Sequence, residues 1–170
     1  MHRHRLVARL ATCLAAVAAL LVAGAGVGQA APPTGPGGTG GTAHGTGTGP
    51  GLSFSFDVTE HGADPHAASG YFRAALTPPA GALIAPQGPA TCVDVRGDSV
   101  GFLYPLADGT RPAAVPLTSI LITAHDGGPG RPDSIGFVGP LPTAAFAGRC
   151  APAVAFLPVT SGDVVVHPGS

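Results

Sequence analysis

The sequence predicts an all-β domain, an antiparallel sandwich or small barrel of seven to eight strands. Three observations point there. From Leu52 onward, short apolar runs are cut by Gly, Pro and Asp at regular intervals. No window holds a helical period over three turns. Several runs alternate apolar and polar residues, the signature of a half-buried strand.

Leu52, Phe54, Phe56 and Val58 alternate with Ser53, Ser55 and Asp57, predicting the first strand, and Gly70 to Leu76 can form a second. Leu83-Ile84 is too short to assign. Thr91–Arg96 and Ser99–Tyr104 flank Gly97-Asp98, a two-residue loop with glycine first, suited to a type II′ hairpin turn. In that register Val95 faces Val100, Val93 faces Phe102 and Thr91 faces Tyr104 on one side. Arg96/Ser99, Asp94/Gly101 and Cys92/Leu103 pair on the other. A slip by one residue would destroy this separation. Leu117–Ala124 is apolar on both faces and should be central. After a Gly/Pro loop from Asp126 to Asp133, Ser134–Val138, Ala153–Leu157 and Asp163–His167 supply the remaining strands. Strands at this spacing suit a sandwich and a small barrel equally.

The chain before this region divides in two. Residues 1–30 read as a secretory signal: Arg3, Arg5 and Arg9 precede an apolar run from Leu10 to Val27, and Gly28-Gln29-Ala30 fits a small-x-small cleavage pattern. A lipoprotein reading of Cys13 is rejected, because most of the apolar run follows that cysteine, and no twin-arginine pair is present. Residues 31–51 are almost entirely Gly, Thr and Pro, and are expected to be a flexible tether. The folded domain is then 52–170.

Cleavage changes the charge. Nine acidic residues and five basic ones (Arg73, Arg96, Arg111, Arg131, Arg149) follow position 30, leaving the exported chain near −4 without a lysine. Nucleic acid and anionic membranes need clustered positive charge, so neither is an expected partner. Two cysteines remain, Cys92 and Cys150, and in an oxidising compartment they most simply form one disulfide. It would close a loop of about 59 residues, worth about 4 kcal/mol by chain entropy. Cys92 falls on the polar hairpin face, so the bridge should cross the outer side or tie down a strand end.

The segments Thr91–Asp98, Ile122–Gly128, Pro132–Phe137 and Ser161–His167, set in a lysine-free Ala/Gly/Pro-rich chain, resemble small secreted β-proteins of high-GC actinobacteria. The resemblance spans about residues 52–168. It rests on turn and strand signatures, and implies a fold but no activity.

Candidate chemistry is sparse. Arg96-Gly97-Asp98 is the tripeptide of integrin ligands, yet Gly-Asp is what the turn itself needs. Asp57, Glu60, His61, Asp64 and His66 carry metal-donor atoms, but in no spacing of known geometry. Asp126 and Asp133 lack the alternating acids of a calcium loop. There is no Gly-x-Ser-x-Gly elbow and no His-Glu-x-x-His. His125 and His167 lie at strand ends, where only folding could bring a serine. Facing carboxylates of the glycosidase kind are open, with few aromatics to stack a sugar. No catalytic, cofactor or metal residue is assigned. The preferred reading is a secreted, disulfide-linked binding or structural module for an extracellular ligand or cell-envelope component. A small extracellular hydrolase and a metal-binding module are the alternatives.

Overall fold

The computed structural model describes residues 40–78, 83–113 and 115–170. The expected leader, Cys13 and the first part of the expected tether lie outside the described residues. Among the described residues, ten strands form two antiparallel sheets of five. The first sheet has the order β10-β1-β2-β3-β4: β10 is Ser161–His167, β1 Thr42–Gly49, β2 Leu52–Glu60, β3 Ala68–Leu76 and β4 Gln87–Pro89. The second has the order β5-β6-β7-β8-β9: β5 is Cys92–Arg96, β6 Ser99–Pro105, β7 Thr118–His125, β8 Ser134–Pro142 and β9 Leu157–Pro158. Neither sheet closes on itself, so the architecture is a sandwich and not a barrel.

The hairpin register is the expected one, with Val95 opposite Val100, Val93 opposite Phe102 and Cys92 opposite Leu103. Its turn places Gly97 at φ +61°, as a glycine-first turn requires. β7 is central in the second sheet and buried from Ser119 to Ala124. The core lies between the sheets. Phe54, Phe56, Phe72, Phe102 and Tyr104 form a continuous aromatic ladder, with centroids 5.2 Å apart for Phe56–Phe102 and 4.8 Å for Phe72–Tyr104. Offset ring pairs at such distances add to the energy of burial.

Two expectations change. The first is the tether. Thr42–Gly49 is β1, paired on one side with β10 and on the other with β2, so the domain extends back at least to Gly40. Thr42, His44, Thr46 and Thr48 face outward, while Ala43 and Gly45 face the core. A side chain at Gly45 would lie 2.7 Å from the Phe56 ring, and one at Gly47 3.0 Å from Phe54. The strand contributes almost no apolar surface; it leaves room for phenylalanines from its neighbour. That is why a composition-based reading misses it.

The second is the expected strand at Ala153–Leu157. Only Leu157 and Pro158 pair, with β8. The chain before them crosses the outer face of the second sheet. Gly101, Thr123 and Gly136 lie side by side on β6, β7 and β8. A Cβ at Gly101 would sit 2.1 Å from Cys150 O, and one at Gly136 2.3 Å from Val154 O. Between them Thr123 Oγ1 accepts the Ala153 N–H at 2.8 Å. A trough floored by two glycines and a threonine therefore seats this strip, and its ladder bonds are forgone.

The edges are closed across the sandwich. On β5, at the edge of the second sheet, Val93 N–H donates to Pro65 O at 2.8 Å and Val95 N–H to Glu60 Oε2 at 3.3 Å. Both acceptors come from the first sheet and its β2–β3 loop. On β10, at the edge of the first sheet, Val164 N–H donates to Asp133 Oδ2 at 2.8 Å, and Val166 N–H lies 3.5 Å from Asp126 Oδ2. Those carboxylates belong to the β7–β8 connection of the second sheet. Open edges invite further strands, and acceptors placed there remove the invitation.

Asp133→Ala strips acceptors from the Gly127 and Val164 amides and should lower unfolding free energy by about 1–3 kcal/mol in urea titrations. Asp133→Asn should fall between the two, and an unchanged midpoint for the alanine variant would contradict the assignment. Burial raises the Glu60 carboxyl above its ordinary 4.5, opposed by the hydrogen bond from Val95. A raised folded-state value means stability fully present below 4.5 and lost as pH climbs through the raised range. Relative to Glu60→Gln, which keeps an oxygen for Val95, wild type should therefore gain stability on acidification through that window. A pH-independent difference in urea midpoints would contradict this.

Candidate functional site

The two cysteines form the disulfide Cys92–Cys150, with Cα atoms 5.9 Å apart. It lies on the outer face of the second sheet, as the placement of Cys92 implied. That face is not solvated: Cys92, Leu103, Leu121, Phe146 and Cys150 form a second buried cluster. A 3-10 turn, Thr143–Phe146, brings Phe146 over it. The bridge thus fastens the strip that seals this face.

The other residues marked in the sequence have structural partners. Asp94 binds Arg96 through two bonds, Oδ1 to Nε at 2.8 Å and Oδ2 to Nη2 at 2.7 Å. Asp98 lies 3.3 Å from His125 Nδ1. The Arg-Gly-Asp tripeptide accordingly has both charged groups engaged within its own sheet. Glu60 serves the β5 edge, His61 Nε2 lies 2.9 Å from Ser69 Oγ, and Asp64 Oδ1 accepts the His66 N–H. Among the described residues, no three of His, Cys, Asp or Glu converge as a metal site. Asp126 and Asp133 accept backbone amides, Gly128 and Val166 for one, Gly127 and Val164 for the other.

Folding does bring a serine to His125: Ser99 Oγ lies 3.0 Å from its Nδ1. The geometry is not that of a nucleophile and its base. Such a pair needs the hydroxyl on one ring nitrogen and the orienting carboxylate on the other, whereas Ser99 and Asp98 both approach Nδ1. On the outer face of the first sheet His44 stands across from Asp57, with the His167 ring 6.3 Å away. These side chains are exposed and line neither concavity found among the described residues.

An apolar concavity lies elsewhere. A cavity of about 580 Å³ opens between the sheets, at the end opposite the Glu60 and Asp126 closures. Leu52, Phe72, Ala74 and Leu76 form its wall on the first sheet, and Tyr104, Ile120, Ile122 and Ile135 its wall on the second. β8 also adds Pro140, and the connections add Ile84, Pro86, Leu106 and Val115. One wall is anchored firmly: Ala107 N–H donates to Gln87 O, and the Thr110 hydroxyl bonds both backbone groups of Gln87. Among the described residues, no carboxylate, imidazole or serine lines the cavity. Nothing in the sequence marked it, because its lining is scattered over seven segments and consists of ordinary strand and loop residues.

Tyr104 stands at its floor, fully buried, and its hydroxyl has no hydrogen-bond partner among the described residues. Burial pushes the phenol far above its usual range, so it stays protonated. A buried, unpaired hydroxyl is unfavourable by about 1–3 kcal/mol. Tyr104→Phe, which keeps the ring against Phe72, should leave stability unchanged or raise it by about 1–2 kcal/mol in urea unfolding. A clear loss would show that the hydroxyl is bonded in solution. No protein-family model, curated protein or solved structure matches this chain.

Proposed function

We propose that the chain is an extracellular binding module that takes up a small apolar molecule in the cavity between its sheets. The cavity carries this reading. Its volume falls within the usual range for small-molecule sites, and its lining is the usual one, mostly hydrophobic and aromatic with few polar groups. Among the described residues the lining is almost wholly apolar, which suits holding an apolar ligand. Export is supported by the basic, apolar and small-residue order of positions 1–30. The single disulfide suits an oxidising compartment. The expected ligand belongs to the extracellular medium or the cell envelope, in keeping with the resemblance to secreted actinobacterial β-proteins.

The test is titration with N-phenyl-1-naphthylamine, an uncharged dye that fluoresces in apolar surroundings. Wild type should show saturable enhancement at one site per chain. Ala74→Phe, which places a ring in the lumen, should weaken it about tenfold or more while the β-type circular dichroism persists. Absence of saturable binding to folded wild type would overturn the proposal.

A further inference from the structure

Among the described residues that line the cavity, one carries a charge, Arg111, and none carries a negative one. Its place is fixed by the backbone: Arg111 N–H donates to Ala85 O at 3.1 Å, and Ala85 N–H to Arg111 O at 2.6 Å. Thr110 beside it is buried and held by Gln87. The Arg111 side chain itself is exposed, and its guanidinium has no hydrogen bond or ion pair among the described residues. Arg96 is paired with Asp94, Arg131 Nε donates to Gly127 O, and the Arg73 guanidinium lies over the Tyr71 ring. Arg149 does not line this cavity. A free cation with a fixed backbone therefore stands at the mouth of an apolar chamber.

Resting on the cavity reading above, we infer that the ligand is a single-chain amphiphile with one anionic head, its chain in the lumen and its carboxylate on Arg111. Guanidinium groups match carboxylates with two parallel N–H donors. The negative charge of the whole exported chain does not oppose this strongly, since exposed charges beyond about 8 Å are screened at physiological salt. The contact at the mouth decides. Chain burial supplies affinity and Arg111 supplies selection and orientation.

Competition against the uncharged dye separates the two claims. Dodecanoate, dodecanol and dodecylamine share a chain and differ in head charge. Wild type should release dye to dodecanoate at a concentration about fivefold or more below that for dodecanol. Arg111→Gln should erase that preference by weakening dodecanoate alone, and Arg111→Glu should turn it toward dodecylamine. Each variant should still bind the dye, which reports an intact lumen. Tyr104→Phe should leave the dodecanoate-to-dodecanol ratio unchanged. Equal competition by dodecanoate and dodecanol, with dye binding intact, would overturn the head-group inference and leave the cavity reading standing. So would a preference abolished by Tyr104→Phe and untouched by Arg111→Gln, which would put the head at the floor.

Discussion

Two stacked five-stranded sheets leave four edge strands, and the outward amides and carbonyls of those strands need partners before anything else about the fold can be stable. At β5 and β10 this chain supplies them from the opposite sheet. Glu60 reaches from β2 to the β5 edge, and Asp133 from the β7–β8 connection to the β10 edge. The acceptors that finish one sheet are covalently part of the other, so edge protection and sheet-to-sheet docking are a single interaction. The charged groups this requires lie at one end of the sandwich, where Gly41, Glu60, Val95, Asp126 and Val166 meet.

The consequence is asymmetry. At the fastened end the sheets are laced by backbone-to-carboxylate bonds. At the other end, around Leu52, Leu76, Leu106 and Pro140, apolar side chains face a chamber of about 580 Å³ that they do not fill. The β4 edge there is closed by residues 107–111, which turn the closing strip into a chamber wall and bring Arg111 to the rim. The aromatic ladder from Phe54 to Tyr104 runs from the packed interior to the chamber floor. The bonds that fasten the sheets and the unfilled chamber thus occupy different ends of one scaffold, and the ligand proposed above would enter without disturbing those bonds.

Much of the fold is legible where side chains alternate. The β5–β6 hairpin is readable to the residue because polar and apolar faces separate cleanly and Gly97-Asp98 permits one turn. The central position of β7 follows from apolar residues on both faces, and the Cys92–Cys150 pairing from there being two cysteines after the expected leader. What escapes is whatever depends on close approach. β1 reads as a tether because its inward residues are glycines, useful only once Phe54 and Phe56 lie over them. Residues 153–156 read as a strand because nothing local reveals the Gly101–Thr123–Gly136 trough that seats them crosswise. The acidic and histidine-bearing loops attract attention through donor chemistry, yet their carboxylates finish sheet edges. The chamber is silent in the sequence, since Leu52, Ala74, Ile122 and Pro140 acquire a common purpose only in three dimensions.

Native-state hydrogen exchange at the edge amides tests the cross-sheet closure most directly. Val95 and Val164 N–H point away from their own sheets, and bare edges would exchange at rates near those of loops. The account predicts that both exchange only through opening as costly as global unfolding, in step with core amides such as those of Val100 and Ile122. Fast exchange at Val95 and Val164, with the core amides still protected, would contradict it.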